Sequence, residues 1–145
     1  MDRNIDQLMK DEFLPLITDL FGERLTSVVL YGSGADGSYR PGVSDVNLLI
    51  LIDEPQPDLL EELARRGRRV IKKHRITPMV ISVEEYRRGS DVFPMEYLDI
   101  RDRHLLLYGE DLTGELDFSN TNLRHQLEAQ LRGSLFSLRQ LILSA

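Results

Sequence analysis

The sequence predicts one α/β domain in which a small sheet is flanked by helices. Two apolar runs rich in β-branched residues indicate buried strands at Leu25–Tyr31 and Val46–Ile52. Apolar residues at helical spacing lie before the first run and after the second. The length of 145 residues suits a single domain with a real hydrophobic core.

The N-terminal half is predicted in order from these signals. Residues 4–21 carry apolar residues at near-helical spacing, and Pro15 interrupts them, which predicts one kinked helix or two short ones. Residues 32–42 are dense in Gly and Pro and predict a loop with at most one helical turn. A helix over about 58–74 follows the second strand.

The C-terminal half predicts a third strand over 76–83, and Pro78 places it at a sheet edge or bend. A sequence that resembles a capping box at 82–85 then begins a short helix to about residue 88. Residues 90–104 read as helical with a break at Pro94, and 105–108 as a short strand ended by Gly109.

A long helix is predicted over 120–144, with one apolar stripe formed by Leu123, Leu127, Leu131, Leu135, Leu138, Leu141 and Ile142. We therefore expect residues 1–119 to form the domain. Residues 120–145 then form a C-terminal helix that packs on it, mediates a homodimer or binds a partner.

Composition excludes several classes of protein. There is no cysteine, so disulfides, thiolate metal sites and cysteine nucleophiles are excluded. The longest apolar run, 48–52, is far shorter than the roughly 20 residues of a membrane span. The N-terminal residues are charged and show no apolar signal core, so we expect a soluble cytoplasmic protein.

The net charge of −6 argues against a general nucleic-acid-binding surface but leaves room for a local basic patch. Basic residues crowd the segment from Arg65 to Arg75, where a patch for phosphate, RNA or an acidic partner is one interpretation. We favour a solvated helix face, because no aromatic residues interleave for base stacking. The buried side of that helix would use Leu59, Leu60, Leu63, Val70 and Ile71.

The glycines of segment 32–37 follow the first strand in a G-x-G-x-x-G pattern. A dinucleotide-binding unit requires a crossover helix, and only residues 38–44, which include Pro41 and Gly42, separate the pattern from Asp45. No Lys-Ser or Lys-Thr pair follows the glycines, so a P-loop is excluded as well.

The whole segment from the first strand to the second resembles the nucleotidyltransferase superfamily, most closely its minimal domains. The residues that carry the resemblance are Gly32-Ser33, the intervening Gly37, and Ser44-Asp45-Val46-Asn47 at the start of the second strand. The match is tight over residues 28–52 and extends by element order to about 110. It implies a small mixed sheet flanked by helices.

The resemblance also implies a chemistry, in which Mg²⁺ clamps a nucleoside triphosphate and NMP is moved to a hydroxyl acceptor. Residues i and i+2 of a strand share a face, so Asp45 and Asn47 project together as the expected metal-binding and catalytic pair. Gly32, Ser33, Gly37 and Ser44 are the expected nucleotide-binding residues. Minimal domains of this superfamily are commonly paired with helical partners.

The sequence departs from the superfamily pattern at its acids. The second acid is replaced by Asn47, and the third should lie on the strand at 76–83, where no Asp or Glu precedes Glu84. The arginine that often lies in the Gly-Ser turn is also missing, since Gly34 and Asp36 occupy those positions. Acids that could fold into the site in compensation are Glu84, Glu85, Glu96 and Asp99.

We therefore expect a degenerate nucleotidyltransferase-like domain. It would bind Mg-NTP weakly and act as a regulatory or partner-binding module, for example an antitoxin-like subunit. The alternatives are an active Mg-dependent nucleotidyltransferase and a structural homodimeric scaffold. The segment with Tyr97, Asp99 and Arg103 is interpreted as mainly structural.

Overall fold

A four-stranded mixed sheet forms the centre of the computed structural model, which describes residues 3–54, 56–88, 94–115 and 120–144. Its strands are β1 (Leu25–Tyr31), β2 (Val46–Ile52), β3 (Ile76–Ser82) and β4 (His104–Gly109), in the order β3-β2-β1-β4. β1 is antiparallel to both β2 and β4, whereas β2 and β3 are parallel. The predicted α/β class with a small mixed sheet is confirmed.

Helices cover both faces of this sheet. They are α1 (Arg3–Leu8), α2 (Leu14–Phe21), α3 (Ser33–Asp36), α4 (Pro57–His74), α5 (Val83–Arg88), α6 (Pro94–Asp102) and α7 (Asn120–Ser144). A π-helical turn, Met9–Phe13, joins α1 to α2, and short 3₁₀ turns lie at Gly22–Arg24 and Thr113–Glu115.

The helix at the N-terminus contains a wider, π-helical turn directly before Pro15. In the π turn the Leu14 N–H donates to the carbonyl of Met9, five residues earlier. Proline has no N–H and its ring crowds the preceding turn, so an ordinary helix cannot run through this position unchanged. The predicted break is therefore real, and it takes the form of a wider turn between two helices.

Two predicted boundaries shift. β3 ends at Ser82, where the capping box is confirmed: Ser82 Oγ accepts from the Glu85 N–H at 3.1 Å, and Glu85 Oε1 accepts from the Ser82 N–H at 3.3 Å. His104 belongs to β4 rather than to a helix, because it pairs with Tyr31 of β1. The predicted helical residues 90–93 lie outside the described residues.

Successive strand residues point to opposite faces of the sheet, and each face packs into its own hydrophobic core. On one face, even-numbered residues of β2 pack with α1, α2 and α4, in a cluster that includes Phe13, Ile17, Leu30, Leu48 and Ile50. On the other face, Leu49 and Leu51 pack with residues of α5 and α6. There the rings of Tyr86 and Tyr97 stack at 5.2 Å, and the Tyr97 hydroxyl donates to the Tyr86 carbonyl at 2.7 Å.

The basic helix α4 buries Leu63 and Gly67 and presents its charges to solvent. Arg65 pairs with Glu62 at 2.7 Å, and Arg66 pairs with Asp19 of α2 at 2.8 Å. One predicted core residue is wrong, since Leu60 is 42% exposed. Leu60 lies at the edge of the buried side of α4, where it lines a small surface cavity together with Pro78 and Val80 of the edge strand β3.

The long helix α7 has the predicted bounds, but all side chains from 131 to 144 are exposed. Leu127 is half-buried, and the side chain of Leu123 lies outside the described residues. The stripe residues Leu131, Leu135, Leu138, Leu141 and Ile142 are between 48% and 67% exposed. None of the described helices is long and apolar enough to cross a membrane.

Gly109 ends β4 at a place where no side chain fits. Its φ is +80°, and a β-carbon there would overlap the carbonyl oxygen of Thr26 on β1. We expect Gly109→Ala to lower the free energy of unfolding by about 2–4 kcal/mol. Denaturant unfolding followed by circular dichroism measures the loss.

The matched control is Gly114→Ala, because a β-carbon at Gly114 meets open space. Its effect should stay within about 0.5 kcal/mol. Equal stability of the two variants would contradict the close approach of β4 to β1 at this residue.

Candidate functional site

The chain turns from β1 into α3 at Gly32, whose φ of 78° and ψ of −143° lie outside the regions open to other residues. The Gly32 carbonyl accepts from the Ala35 N–H at 3.0 Å, which closes the turn. A β-carbon on Gly32 would lie 3.0 Å from Nδ2 of Asn47. The backbone conformation therefore requires glycine here, and Asn47 lies close to the position that a side chain would occupy.

Strand pairing brings the predicted site residues to one end of the sheet. Asn47 is half-buried and pairs with Tyr31 of β1, the residue before Gly32. Asp45 lies two residues before Asn47 and is exposed at the mouth of the site. The half-buried Ser33 directly follows Gly32. The structure therefore places Gly32, Ser33, Asp45 and Asn47 near one another.

Two other predicted residues have structural contacts. Ser44 Oγ accepts from the Arg40 N–H at 2.9 Å, and the Ser44 N–H donates to the Arg40 carbonyl at 2.9 Å. Gly37 is exposed and ends α3 with a φ of 85°. Both residues shape the loop between α3 and β2, and their nucleotide-binding role stays a prediction.

Asp45 is paired with Arg75, a residue whose sequence position indicated only a place in the basic segment 65–75. Arg75 Nε lies 2.9 Å from Asp45 Oδ1, and the two side chains are 50% and 53% exposed. Arg75 connects α4 to β3, and its carbonyl accepts from the Val46 N–H at 2.9 Å. The signal available in the sequence was its position directly before β3, which mirrors that of Asp45 before β2.

The neighbouring strand β3 supplies no acid. Thr77, which is exposed, is the residue in register with Asn47. Three of the four acids considered for compensation have other partners. Glu85 belongs to the capping box, Glu84 pairs with Arg88 at 2.8 Å, and Asp99 pairs with Arg103 at 2.9 Å.

Glu96 of α6 is the fourth, and it differs from the others. Its Oε2 is buried and has no hydrogen-bond partner among the described residues. Burial of the phenol, followed by the negative charges of Glu96 and Asp99, raises the pKa of Tyr31 to about 12. Glu96 therefore lies close enough to act on Tyr31, the cross-strand neighbour of Asn47.

Arg103 connects the Gly32 turn to α6 through hydrogen bonds. Its guanidinium donates to Asp36 at 2.8 Å and to Asp99 at 2.9 Å, and its carbonyl accepts from the Gly32 N–H at 3.0 Å. Asp36 also accepts from the hydroxyl of Ser38 at 2.6 Å and from its N–H at 2.9 Å. The structural interpretation of the Arg103 segment agrees with this arrangement.

The residues at the site do not fit the divalent-cation centre that the resemblance implies. Asp45 is already paired with Arg75, and the amide of Asn47 adds no negative charge. Within residues 3–54, 56–88, 94–115 and 120–144, no three His, Cys, Asp or Glu side chains are grouped so that they could hold a metal. The metal-binding role of Asp45 and Asn47 stays a prediction, and the Arg75 contact argues against it.

A cleft of about 480 Å³ adjoins this end of the sheet. The loop before β2 contributes Tyr39 and Pro41 to its lining, and the end of α4 contributes Lys73, His74 and Arg75. Its volume is in the range of small-molecule sites. Arg75 therefore faces both Asp45 and a space that a ligand can enter.

The Asp36 contacts predict an unusual titration. Hydrogen bonds from Ser38, and then from Arg103, lower the pKa of Asp36 from 3.8 to about 2. The carboxylate contacts therefore favour the folded state at neutral pH, and this contribution is lost only as the pH falls from about 4 through about 2. NMR titration of the side-chain carboxyl carbon measures the midpoint.

Ser38→Ala and Arg103→Gln should each raise the Asp36 pKa toward 3.8. A wild-type midpoint near 3.8, or a midpoint unmoved in both variants, would show that these contacts do not hold the loop.

Comparison with known proteins identifies the fold and the family. The family model of the nucleotidyltransferase domain matches residues 11–100. The spectinomycin 9-adenylyltransferase of Staphylococcus aureus (strain N315) is 29% identical over 109 residues, which are 72% of this chain and 39% of that protein. The chain thus spans about 39% of the length of the curated relatives it matches.

Among solved structures, spectinomycin adenyltransferase AAD(9) from Enterococcus faecialis with ATP and spectinomycin superposes with a TM-score of 0.64. The two proteins are 20% identical in sequence. The superposition covers 84% of this chain and 63% of that protein, so it shows a shared fold. A complex of the tri-AMPylated Shewanella oneidensis HEPN toxin with MNT antitoxin reaches a TM-score of only 0.46 at 17% identity, over 95% of each chain.

The family match covers the Gly32-Ser33 turn, Asp45, Asn47 and the strands that carry them, and it confirms the resemblance predicted from those residues. This chain belongs to the nucleotidyltransferase domain family.

Proposed function

We propose that this nucleotidyltransferase domain binds a nucleoside triphosphate weakly at the Gly32-Ser33 turn and acts as a regulatory or partner-binding module. One observation carries the proposal. The acid that remains at the family's acidic positions, Asp45, is paired with Arg75 at 2.9 Å, whereas an amide and a hydroxyl occupy the neighbouring positions 47 and 77. The site has kept its phosphate-binding turn and has lost its cluster of carboxylates.

The turn supports phosphate binding by its shape. Gly32 lets the backbone bend sharply, so that a ligand can approach the main chain without meeting a β-carbon. The half-buried hydroxyl of Ser33 adds a donor beside it. The structural relative AAD(9) was determined with ATP, which makes ATP the first nucleotide to test.

The missing carboxylates support the expectation that nucleotidyl transfer at this site is slow. Loss of a general base costs about 10²- to 10⁴-fold in rate. Loss of negative charge around a metal adds to the barrier, and each 1.4 kcal/mol is about a tenfold loss. Binding at the turn is less affected, because it depends on the open approach at Gly32 and on the hydroxyl of Ser33.

Calorimetric titration of ATP and GTP tests the binding step. We expect saturable binding with Kd in the range of about 0.1–1 mM for the wild type. Ser33→Ala should weaken binding about 3- to 10-fold, since one hydrogen bond to a charged group is lost. Gly32→Ala should abolish it, because alanine is strained at a φ of 78° and its β-carbon would lie 3.0 Å from Nδ2 of Asn47.

Glu61→Ala is the matched control, since Glu61 is an exposed acid on α4. It should bind nucleotide as the wild type does. No heat up to millimolar nucleotide, or equal losses in the control and in Ser33→Ala, would reject a nucleotide site at this turn.

An active transferase is a second candidate, favoured by the buried Glu96 oxygen near Tyr31. In that case the enzyme would move AMP from ATP to an acceptor hydroxyl and release pyrophosphate. Spectinomycin is the acceptor suggested by the relatives. Mass spectrometry of a reaction with ATP and spectinomycin should show no adenylylated product under our proposal, whereas product that disappears in Glu96→Gln would establish the enzyme.

The exposed stripe of α7 supports the partner-binding part of the proposal, in which residues 120–145 are the binding segment. Large apolar side chains repeat at 131, 135, 138 and 142 on one helix face, and such a surface is usually covered. A second copy of the chain is the first partner to test. We expect sedimentation at tens of micromolar to show association that Leu138→Glu abolishes.

Gln140→Glu places the same charge on the opposite face of α7 and should leave association unchanged. A wild-type monomer under these conditions would reject the homodimer and leave a different helical protein as the partner.

A further inference from the structure

The register of β2 and β3 places a cation beside Asp45, the acid that remains at the start of β2. Val46 and Ile76 are paired in the parallel ladder, so the residues before them, Asp45 and Arg75, lie at the same level. The contact between the two side chains follows from this register: Arg75 Nε lies 2.9 Å from Asp45 Oδ1. In this chain the neighbour of the remaining acid is therefore positively charged.

The backbone holds Arg75 in this position. Its φ of 55° makes it the one non-glycine residue with positive φ in the described part of the chain. Glycine or asparagine usually occupies this left-handed position at the end of a helix. The Arg75 carbonyl accepts from the Val46 N–H at 2.9 Å, which fixes the residue against the first residue of β2.

We propose that the Arg75 guanidinium takes the place of the divalent cation at Asp45, so that the phosphates of a nucleotide bind here without metal. This inference rests on the proposed nucleotide binding and specifies how its charge is neutralised. The charges of Asp45 and Arg75 cancel, so little negative charge remains to attract a metal ion. The guanidinium is half-exposed and carries further N–H donors that suit phosphate oxygens.

Charged groups of both signs surround Arg75 in the cleft that it lines. Arg75 lines the cleft of about 480 Å³ beside Lys73 and His74, so three groups that carry or accept a positive charge follow one another along its wall. Asp11 and Glu12 line the same cleft, and His74 Nε2 lies 3.2 Å from Glu12 Oε2. Arg75 is thus the cation of this wall that also contacts the acid of the nucleotide site.

Titration with Mn²⁺ alone, followed by the paramagnetic resonance of the free ion, tests the inference without any nucleotide. The wild type and Asn47→Asp should show no saturable binding up to millimolar Mn²⁺. The double variant Asn47→Asp with Arg75→Gln should bind Mn²⁺ at least about tenfold more tightly than Asn47→Asp alone, because two carboxylates are then free of the guanidinium. Asn47→Asp with Arg69→Gln, an exposed arginine of α4, is the control and should match Asn47→Asp.

Two results would overturn the inference. One is wild-type Mn²⁺ binding that Asp45→Asn removes, and the other is equal affinity in Asn47→Asp with and without Arg75→Gln. Circular dichroism confirms that each variant is folded. Arg75→Gly, whose residue suits a φ of 55°, repeats the comparison if Arg75→Gln fails to fold.

Nucleotide titration then tests the role of Arg75 toward phosphate. The wild-type Kd for ATP in EDTA should lie within about threefold of its value in excess Mg²⁺, and Arg75→Gln should weaken binding in EDTA about tenfold or more. Binding only with Mg²⁺ would overturn the inference. Absence of nucleotide binding in both conditions would reject the proposed function, while the Mn²⁺ comparison still decides whether Arg75 excludes the metal.

Discussion

The pairing of β1 with β2 is the constraint on which the rest of the structure depends. Tyr31 lies opposite Asn47, so the end of β1 and the start of β2 meet at the Gly32 turn. A slip of one residue would exchange the two faces of β2. Leu48 and Ile50 would then point toward the opposite core, and Asn47 would move away from Gly32. The same hydrogen-bonded register therefore fixes both hydrophobic cores and the geometry around Gly32 and Asn47.

The charges around this register divide into two networks with different effects. Arg103 joins α3 to α6 through Asp36 and Asp99, and it holds the glycine turn in place from outside. Arg75 acts from the other side of the turn by pairing with Asp45. Both pairs are partly exposed, so each contributes little to global stability. Their consequence is local, because they decide which charges a phosphate or a metal ion meets.

The fold of this end of the sheet is independent of the acids that it carries. The bend at Gly32 depends on glycine and on the close approach of Asn47, neither of which requires a carboxylate. Asp45, Thr77 and Arg75 lie at the open end of the sheet and are all exposed. Substitution there alters the electrostatics without disturbing the buried residues of β2. The fold and the Gly32 turn are thus physically separable from the charges at this end of the sheet.

The strands, the capping box at Ser82 and the helix α7 were determined by the sequence itself, because hydrophobic periodicity and capping residues act over a few neighbours. The Gly32-Ser33 turn and the Asp45–Asn47 pair were also visible, since they are contiguous in the chain and the family resemblance rests on them. Two local expectations failed at boundaries: Leu60 lies at the rim of α4, and His104 joins β4.

What only the tertiary structure decided are the contacts between residues far apart in the chain. Arg75 looked like one more charge of a solvated helix until the parallel register of β2 and β3 set it beside Asp45. Glu84, Glu85, Glu96 and Asp99 were equivalent candidates in the sequence, and packing of α5 and α6 left Glu96 alone with a buried oxygen near Tyr31. Periodicity specifies which face of an element is buried, but the partner of a charged side chain depends on strand order and register, which no local pattern contains.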